Sequence, residues 1–217
     1  TLDFSTAAGT GTLTGDSIAF ASNVTPNGGG TTLVFQSPTA TTDFSIATGL
    51  ANELISAASI AFLQNGFTEL QFGRSNGQHN IQIGAATYQD PVLFQTPTSG
   101  DITVTGTITT ATNGTVFFDV GASNRIILDV TGNAVVTTGE EINFGGAVRI
   151  AEGEAPIIDS ANGPIRFGGA VDGTTGGAAE SLILDAGAGN IDLQSVDRAG
   201  SGASGGADAR GLATLRN

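Results

Sequence analysis

The segment INFGGAV at positions 142–148 returns as IRFGGAV at 165–171, 23 residues on (165 against 142). IIDSANGPI at 157–165 returns as ILDAGAGNI at 183–191, 26 residues on (183 against 157). A third echo, LVFQSPT at 33–39 and VLFQTPT at 92–98, is 59 residues apart (92 against 33). Offsets in the low twenties that hold two or three short strands fit one coil of a solenoid, whereas a β-sandwich has no reason to repeat at that period. In such a stack, strands pair in parallel at about 4.8 Å per coil, and similar residues fall above one another in ladders.

Strand signals run along the whole chain: LDF at 2–4, TLT at 12–14, SIAF at 17–20, TLVF at 32–35, ELQF at 69–72, NIQI at 80–83, PVLF at 91–94, DITVTGTIT at 101–109, TVFFDV at 115–120, RIILDV at 125–130, NAVVTT at 133–138, EINF at 141–144, PIIDS at 156–160, PIRF at 164–167, SLILDA at 181–186 and NIDL at 190–193. Most alternate apolar with small or polar residues and are separated by Gly, Asn or Asp. Ser56 to Asn65 differs: Ala-rich, with Ile60 and Leu63 three apart and Gly66 following, it reads as a short helix with a glycine C-cap. The expected fold is all-β, a right-handed parallel β-helix of about eight or nine coils and roughly 40 Å, with one short inserted helix near 56–65.

The inward columns need compact aliphatics and phenylalanine, and the 12 Phe supply the rings. Ile157 with Ile183, Ile165 with Ile191, and Phe144 over Phe167 are expected to stack pointing inward. Five Asn-Gly pairs, at 27–28, 65–66, 76–77, 113–114 and 162–163, suit the corners. A type I′ hairpin at each pair would instead give an antiparallel sheet, and the repeat offsets rank that second.

Composition narrows the function. The chain of 217 residues carries 20 acidic and 7 basic residues, formally −13, and every basic residue is Arg. Nucleic-acid binding needs a basic stripe, which this chain lacks. With no Cys there is no disulfide framework, thiol nucleophile or cysteine-held metal. No run of about 18 apolar residues and no signal-peptide pattern is present. The first residue is Thr and Met is absent, so a processed product or excised segment of a longer repeat protein is expected, with residues 1–217 forming one solenoid domain. Residues 198–210 form a Gly/Ser/Ala-rich loop.

LQNGFTELQFGR at 63–74, NIQIG at 80–84, DPVLFQTP at 90–97 and FGGAVDGTTGGAAESLILDAGAGNIDL at 167–193 resemble the β-strand repeats of giant bacterial surface proteins related to filamentous haemagglutinin. The resemblance runs from about Asp43 onward and departs in the tail, where RAGSGASGGADAR at 198–210 replaces a quick return to the next strand. It implies a right-handed β-helix, an extracellular or cell-surface bacterial location and a structural or adhesive role, with no catalytic residue set to carry over.

Each candidate for chemistry has a plain structural counterpart. Asp159 and Asp185 occupy matching repeat positions, and Asp192 follows nearby. A carboxylate column would suit a polysaccharide lyase or hydrolase on the same scaffold, with Arg166 the nearest cation. Asp side chains at corners ordinarily bond turn amides, and that reading is preferred. His79, in the polar stretch RSNGQHNIQ, is expected to be an exposed turn residue without a role. The carboxylates would suit calcium rather than zinc, but neither a D-x-D-x-D-G loop nor a G-G-x-G-x-D repeat occurs, so no cofactor is expected. Asn23-Val24-Thr25 and Asn113-Gly114-Thr115 match the glycosylation pattern, read as chance in a bacterial setting. Aromatics are 6%, nearly all Phe, while sugar platforms favour exposed Trp and Tyr. The reading is therefore a non-catalytic surface or matrix element, a spacer, adhesin or fibre subunit. Neither TLDFSTAAGTGTLTG nor GLATLRN offers a cap, so the end coils are expected to pair with another copy or further repeats, with surface polysaccharide as a further partner.

Overall fold

The computed structural model describes residues 9–26, 30–111, 113–174, 180–196 and 213–216. Their short alternating runs form parallel strands that wind as about seven turns around one apolar core. The first turn opens with β1 (Gly9–Thr14). The second carries β2 (Thr31–Gln36), β3 (Phe44–Ile46), β4 (Glu53–Ile55) and the helix α1 (Ala57–Ile60). The third has β5 (Glu69–Phe72), β6 (Ile81–Ile83) and β7 (Ala86–Tyr88), and the fourth β8 (Val92–Thr96), β9 (Ile102–Val104) and β10 (Ile108–Thr110). The fifth has β11 (Val116–Val120), β12 (Arg125–Leu128) and β13 (Gly132–Val136), and the sixth β14 (Ile142–Phe144), β15 (Ala147–Ile150) and β16 (Pro156–Asp159). The seventh consists of β17 (Ile165–Asp172) and β18 (Leu182–Asp185), and β19 (Ile191–Val196) and β20 (Ala213–Arg216) begin the next level.

Three faces result. On the first, β1, β2, β5, β8, β11, β14, β17 and β19 stack in that order, and at the strand spacing of a sheet they span roughly 34 Å. The stack is shorter than the expected eight or nine coils because the second turn consumes 37 residues, Leu33 pairing with Leu70. On the second face β4, β3, β6, β9, β12, β15 and the end of β17 follow one another; on the third, β7, β10, β13, β16, β18 and β20. All registered pairs are parallel, so the four Asn-Gly pairs among the described residues close no hairpins. The Asn27-Gly28 pair, the expected strand at 2–4 and the 198–210 loop lie outside the described residues. GLATLRN does supply the strand read from it, β20, beside β18.

The repeats set the register. Phe144 lies beside Phe167, Ile165 beside Ile191 and Ile157 beside Ile183. Phe35, Phe72, Phe94, Phe118, Phe144 and Phe167 occupy one inward column, successive ring centroids 4.9, 5.5, 5.4, 5.1 and 4.7 Å apart and no pair tilted by more than 25°. The 59-residue echo is two turns of this column, Phe35 and Phe94 flanking Phe72. Beside it run Leu33, Leu70, Val92, Val116, Ile142 and Ile165, all buried. The second face adds the buried column Phe44, Ile81, Ile102, Ile126, Val148 and Val171.

Several expectations are corrected. Ile157 and Ile183 pair as read but stand outward and half-buried; Ile158 and Leu184 are the inward residues, because the strand pleat puts neighbours on opposite faces. DITVTGTIT is two strands, β9 and β10, broken at Gly106, where a Cβ would sit 2.5 Å from Ala85 N on the turn below. SIAF is no strand; only Ile18 forms a bridge, to Ile55. The helix spans four residues rather than ten: Ser56 caps it by accepting from Ser59 N, and it ends at Ala61. Helix propensity gives way to coil geometry here, since Leu63 must turn inward to bridge Val24 of the first turn. α1 packs against β7, so it takes the place of a strand before β7 at the start of the third face.

Truncating the middle of the ring column leaves a cavity between two flat neighbours that have little freedom to collapse. Phe118→Ala is expected to lower the unfolding free energy by about 3–5 kcal/mol, and Phe167→Asp by several kcal/mol, since its carboxylate would be desolvated as well. Urea titration measures both; a midpoint equal to wild type for either would contradict the buried column.

Candidate functional site

The carboxylate column exists in part. Asp159 and Asp185 are in register one turn apart on the third face. Each serves its own corner: Asp159 Oδ1 accepts from Ala161 N at 2.8 Å, and Asp185 Oδ1 accepts from Gly187 N at 3.2 Å. Asp192 is not brought to them, since it pairs with Arg166 on the first face. Arg166 itself reaches Glu141, Nη1 to Oε1 3.4 Å. Among the described residues no three acidic or histidine side chains gather as metal ligands.

The arginines of the described turns link one turn to another. Arg74 donates from Nε to Ser37 O (3.0 Å) and from Nη2 to Pro38 O (2.7 Å). Arg125 and Arg149 both approach Asp172, at 3.4 and 3.7 Å. The arginines of these pairs are more than a third exposed, so each pair is worth about 0–1 kcal/mol. They add little beside the apolar columns. A polar ladder reinforces the start of the second face: Asn80 N donates to Asp43 Oδ1 (2.7 Å), Asp101 N to Asn80 Oδ1 (2.9 Å) and Arg125 N to Asp101 Oδ1 (2.8 Å). Four successive turns are thus tied by side chains that accept the next turn's amide.

A buried hydroxyl closes the corner after the third face. Thr137 Oγ1 donates to Glu140 O (2.7 Å) and Ser160 Oγ to Gly163 O (2.6 Å), and Thr110 Oγ1 bonds Gly114 O in the same way. Gly163 is required there, because a Cβ would lie 2.2 Å from Glu140 O of the preceding turn. Sequence reasoning passed over this column. Its signal is a Ser or Thr two positions after the last inward aliphatic, as in Ile108/Thr110, Val135/Thr137 and Ile158/Ser160, with Ala186 in that place after Leu184.

His79 is the main departure. Expected on the surface, it is 1% exposed, because the corner holding it is covered by turns on both sides. Its Nδ1 lies 2.8 Å from Ala40 O, its ring packs on Phe44 at 4.9 Å, and burial lowers its pKa below the usual histidine value of 6.5. Two further buried polar residues went unread. Tyr88, fully buried between Phe72 and Phe94, has its hydroxyl without a hydrogen-bond partner, and burial pushes its pKa far up. Asp90, 3% exposed, accepts from Gly66 N at 2.8 Å through Oδ1 while Oδ2 has no partner. Burial raises its carboxyl above the ordinary 3.8, against the opposing pull of the Gly66 and Phe67 amides.

Tyr88, at the end of β7, and Asp90 lie two residues apart and His79 at another corner; His79 Nδ1 and Asp90 Oδ1 each tie neighbouring turns together. Comparison with protein-family models, curated proteins and solved structures returns no match.

Ser160→Ala leaves the Gly163 carbonyl without its hydroxyl and should cost about 1–3 kcal/mol, whereas the outward Thr109→Ala should stay within about 0.5 kcal/mol; equal losses in urea titration would refute the corner role. Asp90→Asn keeps an acceptor for the Gly66 amide and removes the charge. A carboxyl whose folded pKa is raised stabilises below its unfolded value and loses that contribution as pH rises through the folded one. The variant should therefore gain on wild type as pH climbs above 3.8, and a gap independent of pH would show that Asp90 is solvated.

Proposed function

We propose that this chain is a non-catalytic structural element of a bacterial cell-surface or matrix protein: an extracellular spacer or adhesive rod whose end turns pair with further turns, from a second copy or from the same polypeptide, to lengthen the fibre. The observation that carries this reading is the unbroken phenylalanine column, which runs from the second turn to the seventh in one register. A solenoid so ordered is stiff along its axis, and its span grows by adding turns. Two features lend support. Among the described residues, β1 pairs only with β2 and β19 only with β17, leaving a row of parallel-strand amides and carbonyls at each end of the first face. The resemblance of its repeat sequences to those of filamentous haemagglutinin-like proteins points the same way.

Contacts between unlike ends repeat without closing and give filaments. Negative-stain microscopy with light scattering over a concentration series at micromolar levels is the test. Rods that lengthen in steps of one solenoid are expected; particles that stay one solenoid long at every concentration would overturn self-assembly.

A further inference from the structure

His79 is the single histidine of the chain, and its ring sits where three successive turns meet. The preceding turn supplies Ala40, Asp43 and Phe44, its own turn Arg74 and Gly77, and the following turn Thr96 and Gly100. Ala40 O can only accept, so Nδ1 carries the hydrogen, and Nε2 of the neutral ring is a bare lone pair. That atom is buried and has no hydrogen-bond partner. Nor can the walls give way easily: a Cβ on Gly77 would already lie 2.8 Å from the ring's Cε1, and one on Gly100 2.1 Å from His79 O. His79 N donates to Thr96 Oγ1 at 3.3 Å and the same hydroxyl lies 2.8 Å from His79 O, which anchors the residue to the next turn.

The charged groups around it are committed elsewhere. Asp43 accepts from Asn80 N and Asn80 Nδ2 (2.7 and 3.1 Å), Arg74 bonds Ser37 O and Pro38 O, and Asp101 of the following turn accepts from Arg125 N. Phe44 brings only its ring. A proton on Nε2 would thus be a buried donor without an acceptor, on a ring newly charged in an apolar wall.

We propose that His79 makes the corner between the second and third turns an acid-sensitive hinge: neutral, the imidazole bolts residues 37–44 to residues 74–80; protonated at Nε2 by a proton from solvent, it must reach water and the corner opens. The sign follows from the two states. The released ring takes its proton near 6.5, and the closed ring only at lower pH, since the desolvation cost outweighs the help of Ala40 O and Asp43, and Arg74 opposes the charge too. The closed corner is fully stable above 6.5 and weakens as pH falls toward the closed-state value. Within that window the open population rises by up to about tenfold per pH unit. Opening there would separate the turn bearing α1 from the regular turns that follow.

The test is an NMR titration of the lone imidazole, joined to amide exchange of residues 37–44 and 74–80 above and below pH 6.5, corrected for intrinsic exchange rates. The expected result is a midpoint below 6.5 and an acid-dependent loss of protection confined to those segments, up to about tenfold per pH unit. His79→Gln, which keeps a donor for Ala40 O and cannot titrate, should hold protection constant across the same range. A midpoint at or above 6.5, protection that does not change with pH, or acid opening that persists in His79→Gln would each overturn the hinge. Should the Gln variant not fold, the wild-type midpoint and exchange profile decide alone.

Discussion

The structure depends on six phenylalanine rings lying flat on one another through its centre. Neighbouring turns can pair in parallel at one strand spacing only if their inward side chains fit the same slot at the same height. The rings of Phe35, Phe72, Phe94, Phe118, Phe144 and Phe167 do so at 4.7 to 5.5 Å, close to the spacing of the strands that carry them. Each stacked pair adds about 0.5–1.5 kcal/mol beyond the burial of its surface. A shift of one residue in any turn would swing its ring to the outer face and break the stack. The column therefore fixes register as well as cohesion.

Once that register is set, the corners become the demanding part, because backbone groups there leave the ladder and still lie under other turns. Three devices answer the demand: buried hydroxyls at Thr110, Thr137 and Ser160, the Asp43–Asn80–Asp101 ladder of amide acceptors, and glycine where two backbones touch. Ion pairs from Arg125, Arg149 and Arg166 lie on the outside and contribute less than any one ring. His79 and Asp90 are corner residues of another kind, holding turns together through buried groups that can titrate, His79 Nδ1 with Ala40 O and Asp90 Oδ1 with Gly66 N.

For function, the economy of the design is informative. Asp159 and Asp185, the carboxylates in register on the third face, are engaged in shaping the chain's own turns. The proposed role rests instead on the ring column and on the edges that β1 and β19 present among the described residues.

How much of this was legible beforehand follows from the range of each interaction. Repeated strings such as INFGGAV and IRFGGAV determine the parallel stack and put Phe144 beside Phe167, since identical neighbours one coil apart can be satisfied only by lying in register. Asx turns at Asp159 and Asp185 are local, involving residues two positions apart, and were equally readable. The inward side of β16 was not: Ile157 and Ile158 are both aliphatic, and only the pleat fixed by the neighbouring turns chooses Ile158. His79 was misread for the same reason. Its segment is polar in sequence, but Ala40, Phe44 and Thr96 come from other turns, and it is their closure over the ring, a contact between residues up to 39 positions apart, that buries it.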